Sequence, residues 1–261
     1  MGPVKNQGNH EVCWALVLAE LVSVVRYVRG HDRVKVDYSI QDIVDFTNKE
    51  ERRLRKDTGH YCYPWYIHSG LEYVKRCGVQ REEDRPFQVN SCTKNVAPRD
   101  PLSKLTYISK VIHLRTIEDT LTVLHEHPVA AEIPIFVPEY TNIGNVYIFS
   151  RKLSLQKIYR GPTTSSSVFT SMHAVNIIGA ATEENGEKNV YVRSSHGETL
   201  GVNGNLKVSI EIMMMCLTPD IGNEFGKYPR SLIDMVVYPE TCPESGIIDV
   251  DPPEHCIISI F

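Results

Sequence analysis

The amino-acid sequence predicts an α+β protein in which a helical N-terminal part precedes a part built mostly of strands. Before about residue 90, apolar residues recur at helical spacing and their runs end at glycines. Beyond about residue 100, short β-branched runs lie between Gly, Asn and Pro residues. With 42% hydrophobic and 23% charged residues among 261, the composition is that of a folded globular chain, and it excludes the disordered, collagenous and coiled-coil classes.

Three helices are predicted in the first part. They run from Cys13 to Arg29, from Ile40 to about Arg55 and from Ile67 to Arg76. Gly30 marks the end of the first helix, and Ser39 with Asp42 forms a capping-box start for the second. A polar, proline-containing connector follows, and it predicts a domain boundary near residue 97.

The second part carries the strand signals. We predict a strand where residues 106–114 alternate, a short helix over residues 116–125, and further strands at residues 129–137, 146–149, 174–180, 189–192 and 206–210. The predicted organisation is a helical domain at residues 1–97, a β-rich domain at 98–210 and a C-terminal extension of unknown role at 211–261.

Charge and hydropathy patterning exclude several kinds of partner. The formal net charge is -4, so we expect no nucleic acid. The most apolar run, Val12 to Val25, is interrupted by Glu20 and is too short for a membrane span. No apolar signal segment follows Met1, and the localisation stays open. Zinc spacing of the C-x-x-C type is absent, so we expect no metal; we also expect no cofactor, and a monomer.

Cys13 stands where a nucleophilic thiol is expected. It follows a polar loop that contains Gln7 and Gly8, and it begins an apolar helix whose dipole favours a thiolate and lowers the thiol pKa. Backbone N–H groups at the helix start, with the Gln7 amide, could form an oxyanion hole. A free cysteine is more often a small buried hydrophobe, so Cys13 alone leaves both interpretations open.

His173 begins an apolar strand that runs through Ala174 to Gly179. An imidazole in this position could be delivered from one domain to a nucleophile on the other as a general base. A lone histidine at a strand start is usually structural, so this residue needs support from its neighbours.

Five sequence blocks supply that support, in a fixed order along the chain. They are Pro3-Val4-Lys5-Asn6-Gln7-Gly8 with Cys13-Trp14-Ala15, then Tyr38-Ser39-Ile40-Gln41-Asp42, Tyr63-Pro64-Trp65, Met172-His173-Ala174-Val175, and Val192-Arg193-Ser194-Ser195-His196-Gly197. Together they resemble the blocks of the papain-like cysteine peptidases, the papain and cathepsin group. The resemblance covers roughly residues 3–209, in register and with the expected gap between nucleophile and base.

The resemblance implies a fold, an activity and a set of site residues. The fold would be a helical left domain and a β-barrel-like right domain that face each other across a cleft. The activity would be hydrolysis of peptide bonds in a peptide or protein substrate. Cys13 would be the thiolate nucleophile, His173 its imidazolium partner, and Gln7 the oxyanion donor. Substrate would be bound by residues in or directly before two of the blocks: Tyr61, Cys62, Tyr63, Pro64, Trp65, Met172 and Ala174.

Several positions depart from the family pattern. Ser194 stands where the family has the Asn that orients the base, and His196 replaces the tryptophan that shields it. Glu11 replaces a glycine next to the nucleophile, where a carboxylate raises the pKa of a thiol unless His173 or an arginine neutralises it.

Other departures concern the cleft wall and the disulfides. Tyr61 and Cys62 stand in place of a Gly-Gly pair, so the non-primed side of the cleft should be crowded. His10, Gly59 and Phe46 replace cysteines of two family disulfides, although Cys92 remains, so those bridges cannot form as in the family. Their loss would suit a reducing compartment.

Two functional classes therefore stand side by side. One is a cysteine peptidase with reduced or altered activity. The other is a catalytically silent protein of the same fold that binds peptides or a protein partner in the same cleft.

Overall fold

The computed structural model describes residues 1–55, 61–88, 96–143, 157–214 and 229–241. The chain divides into two compact units. We call Gln7–His113 with Val237–Phe261 the helical unit, and Met1–Asn6 with Leu114–Val236 the sheet unit. This division into two units does not test the predicted domain boundaries near residues 97 and 210, which stay predictions.

The regular elements agree in type with most of the sequence predictions. The helices are α1 (Cys13–Val28), α2 (Ile40–Phe46), α3 (Lys49–Leu54), α4 (Ile67–Cys77), α5 (Ile117–Val123) and α6 (Glu139–Asn142). The strands are β1 (Ile108–His113), β2 (Val129–Val137), β3 (Ile158–Tyr159), β4 (Val168–Thr182), β5 (Lys188–Arg193), β6 (Asn205–Ser209), β7 (Met213–Met214), β8 (Arg230–Ser231) and β9 (Asp234–Thr241). The predicted strand at 146–149 and most of the predicted extension at 211–261 lie outside the described residues.

The predicted second helix, 40–55, is wrong as a single helix. The chain leaves helical geometry at Asn48, whose backbone is extended and whose side-chain oxygen accepts hydrogen bonds from the Glu50 and Glu51 N–H groups. Asn48 therefore caps a new helix instead of continuing the old one. The predicted capping at the start of α2 is confirmed, because the Ser39 hydroxyl accepts a hydrogen bond from the Asp42 N–H at 2.9 Å.

The core of the helical unit is built around α1. Twelve of its sixteen residues are buried, which explains why the segment is apolar on nearly every side. Trp14 is 1% exposed, and its indole N–H donates to the Tyr63 carbonyl at 2.9 Å. Helix α4 approaches α1 at Gly70, where a Cβ atom would lie 2.4 Å from a methyl carbon of Leu18. Among the described residues, no helix combines the length and apolarity that a bilayer span needs.

The sheet unit contains an antiparallel sheet in which β2, β4, β5 and β6 follow one another, with β3 parallel to β6 at its edge. Within the described part of the chain this sheet is open, so the β-rich part does not form the closed barrel that the expected barrel-like domain suggested. Strand β4 is the longest, at 15 residues, and it places His173 opposite Ile133 of β2. Ile133 is fully buried, so the base lies on the covered side of the sheet.

The N-terminal residues 1–6 belong to the sheet unit and pack against the chain near His196. Asn6 forms an isolated bridge with His196, and the Gly197 N–H donates to the Lys5 carbonyl at 3.2 Å. Gly204 lies beneath Val4 at a φ of +77°, and a Cβ atom there would lie 2.5 Å from a methyl carbon of Val4.

We expect Gly204→Ala to lower the free energy of unfolding by about 3 kcal/mol, because it adds a steric clash to the strain of a left-handed backbone. Gly186→Ala is the matched control: its φ is +87° but nothing lies within 4 Å of the added carbon, so only the backbone strain of about 1 kcal/mol remains. Urea unfolding of both variants measures the difference. Equal losses would show that the Val4 side chain and the Gly197 carbonyl, which would lie 2.7 Å from the added carbon, both move aside at little cost.

Candidate active site

The nucleophile candidate lies in the helical unit, at the first position of α1. Cys13 is half-buried and carries a reduced thiol. The preceding residue, Val12, caps the helix without a side-chain hydrogen bond, and the first turn contains no acidic residue. The positive end of a 16-residue helix dipole therefore acts on this thiol without a carboxylate on the same turn to offset it.

Two residues of the preceding loop bear on this thiol. Gln7 is 8% exposed, and its Nε2 donates one hydrogen bond to the His10 carbonyl at 2.7 Å, which fixes the direction of the amide. Glu11 forms an ion pair with Arg55, at 3.4 Å between carboxylate and guanidinium. From the sequence we expect either His173 or an arginine to offset the charge of Glu11, and the residue that pairs with it is an arginine.

The predicted substrate wall of the helical unit divides into buried and accessible side chains. Cys62 and Tyr63 are fully buried; Cys62 is disulfide-bonded, and the Tyr63 hydroxyl donates to the Val44 carbonyl and accepts from the Asn48 N–H, both at 3.0 Å. Tyr61 is half-buried, and the Arg52 guanidinium lies 5.2 Å from its ring centre. Pro64 is exposed and Trp65 half-buried. Only Tyr61, Pro64 and Trp65 of this set can therefore contact a ligand through their side chains.

The helical unit contains disulfide-bonded cysteines. Cys62 and Cys77 are both disulfide-bonded. The sequence lacks two disulfides of the family, but the chain still contains disulfide-bonded cysteines. The sequence-based argument for a reducing compartment therefore loses its support. Gly59 and Cys92, which figured in that argument, lie outside the described residues.

The base candidate lies in the sheet unit. His173 is 4% exposed, and its Nε2 atom lies 3.3 Å from the Ser194 hydroxyl oxygen. These two residues are 21 positions apart in the sequence and lie within hydrogen-bond distance of each other in one unit. On either side of the base, Met172 is half-buried and Ala174 is 4% exposed.

Two further side chains surround Ser194. The Tyr140 hydroxyl lies 3.2 Å from the Ser194 hydroxyl and 3.1 Å from the His196 Nδ1 atom, and His196 Nδ1 lies 3.2 Å from Ser194. The imidazole rings of His173 and His196 stack, with centres 4.4 Å apart and planes 13° apart. The ring of Tyr140 meets both imidazoles edge-on. His196 thus keeps a flat ring against the base, where the family has a tryptophan.

These surroundings favour neutral imidazoles. Burial, and to a smaller extent the neighbouring His196, together lower the pKa of His173 to about 3. Burial also lowers the pKa of His196. A hydroxyl group both donates and accepts, so Ser194 supports the imidazolium form less than an amide carbonyl would. Among the described residues of the sheet unit, no negatively charged group raises the pKa of His173.

Sequence reasoning missed Tyr140. It is 5% exposed and lies on α6, a helix of four residues, 54 positions before Ser194. No motif or period marks such a residue; only the folded sheet unit brings it to the base. In the described residues no group of three His, Cys, Asp or Glu side chains could hold a metal ion.

Comparisons with known proteins identify the family. The sequence profile of the papain family cysteine proteases matches residues 1–220. The chain belongs to the papain family of cysteine proteases. Within this family, a cathepsin L-like proteinase of Phaedon cochleariae is 23% identical over 211 residues, which are 79% of this chain and 56% of that protein.

Solved structures show the same fold. The proform of Amb a 11, a cysteine protease and ragweed pollen allergen, superposes with a TM-score of 0.59 at 19% identity, over 93% of this chain and 62% of that one. The bromelain protease from Ananas comosus, in complex with the E64 inhibitor, gives a TM-score of 0.58 at 18% identity, over 92% and 94%. The chain thus spans less than two thirds of the length of the first two of these papain-family relatives.

Proposed function

We propose that this papain-family protein is a cysteine-type peptidase with reduced activity. The observation that carries the proposal is the hydrogen bond between His173 Nε2 and the Ser194 hydroxyl, at 3.3 Å. This bond occupies the nitrogen that an orienting residue should occupy and leaves Nδ1 as the nitrogen for a thiol. Cys13 at the N-terminus of α1 supplies a thiol that the helix dipole activates.

The proposed reaction has two stages. The Cys13 sulfur attacks the peptide carbonyl carbon, and the oxyanion that forms accepts hydrogen bonds from the Gln7 amide and from a backbone N–H at the start of α1. The C–N bond then breaks as His173 gives its proton to the leaving amine, which leaves an acyl-thioester on Cys13. In the second stage His173 takes a proton from water while the water oxygen bonds to the acyl carbon. The C–S bond then breaks, the carboxylic acid leaves, and the proton on His173 returns to the Cys13 sulfur.

The charges on Cys13 and His173 should depend on each other. His173 is too deeply buried to hold a proton alone, because its pKa is lowered to about 3. An adjacent thiolate would offset that burial, so the two charges are expected to form as a pair. The orienting hydroxyl is weaker than the family amide, which is the reason we expect reduced activity.

The alternative, a silent protein that binds a peptide or a protein partner, is favoured by one observation. The side chains that hydrogen-bond to or stack on His173 in the described sheet unit are the Ser194 hydroxyl and the His196 imidazole, and neither supplies a negative charge that would keep His173 protonated. In this alternative Cys13 stays a thiol. Tyr61, Pro64 and Trp65 would still offer an aromatic surface to a bound chain.

Turnover of a fluorogenic peptide library by the full chain tests the proposal, with Cys13→Ser as the matched control. We expect slow cleavage that disappears in Cys13→Ser and a transient acyl adduct on Cys13 by intact mass. Cleavage that persists in Cys13→Ser would assign the activity to a contaminant. Binding of the same peptides without any cleavage would select the silent alternative.

The pH dependence of stability distinguishes the two classes independently of any substrate. In Cys13→Ser no thiolate can offset a proton on His173, so the unfolded state binds this proton below pH 6.5 while the folded state does not until about pH 3. The free energy of unfolding should therefore fall as pH falls through this window, by up to about 1.4 kcal/mol per pH unit. The wild-type chain, with its paired charges, should lose less.

The comparison needs a control for other groups. Burial and Asp234 raise the pKa of Glu132 to about 7, so this carboxyl titrates in the same range with the opposite sign. Adding His173→Asn to both proteins removes the His173 contribution and leaves that of Glu132 unchanged. Urea unfolding at pH 7, 5.5 and 4.5 gives the slope of the free energy of unfolding against pH for each protein. Identical slopes for wild type and Cys13→Ser would contradict a charged Cys13–His173 pair.

A further inference from the structure

The Ser194 hydroxyl lies within hydrogen-bond distance of four polar groups. Its oxygen lies 3.3 Å from His173 Nε2, 3.2 Å from the Tyr140 hydroxyl, 3.2 Å from His196 Nδ1 and 3.3 Å from the His196 backbone nitrogen. A hydroxyl has one hydrogen and two lone pairs, so it can accept from two of these neighbours and donate to one. The direction of each bond therefore decides on which nitrogen His173 carries its proton.

Two of the directions are fixed by chemistry. The His196 backbone N–H can only donate, and it occupies one lone pair of Ser194. A base that takes a proton from a thiol at Nδ1 must keep its own hydrogen on Nε2, and this N–H occupies the second lone pair. The hydroxyl hydrogen of Ser194 must then go elsewhere, and the two acceptors within reach are Tyr140 and His196 Nδ1.

Tyr140 is placed to receive that hydrogen and to pass on its own. Its hydroxyl lies between Ser194 and His196 Nδ1, at 3.2 Å and 3.1 Å. His196 is neutral because burial lowers its pKa, so Nδ1 can accept when the ring hydrogen is on Nε2. The bonds then run in one direction, from His173 Nε2–H to Ser194, from Ser194 to Tyr140 and from Tyr140 to His196. Every donor in this series of hydrogen bonds has an acceptor.

We propose that Tyr140 is a positioning residue: together with His196 Nδ1 it takes the Ser194 hydrogen, so that Ser194 can only accept from His173. This inference rests on the proposed role of His173 as the base. In the papain family a single amide carbonyl, which can only accept, orients the base. Here a hydroxyl becomes acceptor-only because Tyr140 and His196 take its hydrogen.

Loss of both acceptors would let Ser194 donate to His173 Nε2. His173 would then carry its hydrogen on Nδ1, where it cannot take a proton from a thiol, and an imidazolium would lack an acceptor for its Nε2–H. Ser194 and Tyr140 are 4% and 5% exposed, so water does not readily replace a missing acceptor.

Nitrogen-15 NMR of the His173 ring tests the proposal directly, whether or not the protein cleaves peptides. The measurement uses the full chain with Cys13→Ser, in which His173 is neutral, and adds Tyr140→Phe, His196→Phe or both. His196→Phe keeps a flat ring for stacking and removes Nδ1. We expect the Nε2–H form in the parent and in each single variant, and conversion to the Nδ1–H form in the double variant. A double variant that keeps the Nε2–H form overturns the proposal.

A double-mutant cycle of Tyr140→Phe and His196→Phe gives a second readout, with kcat measured in the protein that keeps Cys13. Each single substitution leaves one acceptor, so we expect kcat within about threefold of wild type; the double variant should lose about tenfold or more in kcat at unchanged KM. Additive losses would contradict the shared role. If the wild-type chain has no turnover, the proposed function fails, while the NMR result still decides which way these bonds run.

Tyr159→Phe is the control for loss of a buried tyrosine hydroxyl. Its hydroxyl donates to the Pro134 carbonyl and accepts from the Phe136 N–H, both at 2.8 Å, and its ring centre lies 5.8 Å from that of Tyr140. This variant should lose stability without any change in the His173 tautomer. A tautomer change in Tyr159→Phe would show that general loosening of the unit, and not the acceptor on Tyr140, sets the ring.

Discussion

Ser194→Ala is expected to lower kcat for peptide cleavage by up to about four orders of magnitude, the loss seen where the orienting group of a serine-protease triad is replaced. The Ser194 hydroxyl is the hydrogen-bond partner of His173 Nε2, at 3.3 Å, and alanine leaves that nitrogen without an acceptor in a site where the base is 4% exposed. The tautomer that can accept a thiol proton would lose its support. Steady-state kinetics with a fluorogenic peptide measures the loss, which should fall on kcat and not on KM.

Ser209→Ala provides the matched control for Ser194→Ala. Ser209 is fully buried on β6 of the same unit, and its hydroxyl accepts a hydrogen bond from the Glu211 N–H. It should lose stability of the order of 1 kcal/mol and keep its kcat. An equal drop in kcat for both variants would trace the loss at position 194 to weakened packing. An unchanged kcat in Ser194→Ala would remove Ser194 from the site.

Arg99→Met is expected to cost the largest amount of stability, about 3–5 kcal/mol, because it leaves a buried carboxylate without its counter-charge. Asp42 is fully buried on α2, and Arg99 binds it through two nitrogens at 2.7 and 2.6 Å. Arg99 also donates to the Cys77 and Gly78 carbonyls and to the Tyr73 hydroxyl. One side chain thus ties the segment after residue 96 to α2 and to the end of α4.

The pH dependence of this loss has a definite sign. Burial raises the pKa of Asp42 while Arg99 lowers it, so removal of Arg99 raises the pKa further. A carboxyl with a raised folded pKa destabilises the fold progressively as pH rises, so the loss in Arg99→Met should be larger at pH 7 than at pH 5. Urea unfolding at both values measures it.

Two further variants isolate the buried charge. Arg99→Met with Asp42→Asn should recover part of the stability and lose the pH dependence, since no charge then stays buried. Arg53→Met removes an exposed arginine from its pair with Glu50, both 65% exposed, and should leave the free energy of unfolding nearly unchanged, because solvent screens this pair. A loss in Arg99→Met as small as that in Arg53→Met would mean that Asp42 reaches water or another cation.

Local sequence signals predicted the elements whose cause is local. The β-branched run at 129–137 is β2, and the apolar run that ends before Gly30 is α1, because in each case the pattern itself decides the structure. The break at Asn48 was missed because the helical periodicity continues through it; the competing cause was a side-chain cap that the pattern does not register.

The candidate site was predictable only in part. The resemblance placed Cys13 at a helix start and His173 beside Ser194, because these residues lie in recognisable blocks. Tyr140 and the Arg99–Asp42 pair were missed, because contacts across 54 and 57 positions leave no local signal. The surroundings of Phe46, which replaces a family cysteine, also left no local signal. Its ring centre lies 4.9 Å from the guanidinium carbon of Arg85 and 5.1 Å from that of Arg99.

The pH dependence of Cys13 alkylation by iodoacetamide tests the proposed Cys13–His173 pair most directly, with peptide mass mapping to separate Cys13 from the other cysteines. We expect alkylation to stay fast well below pH 8.5, about the pKa of an ordinary thiol, and to slow in His173→Ala. Alkylation only above that pH, at the same rate in wild type and His173→Ala, would contradict the pair and leave a binding protein on a peptidase fold.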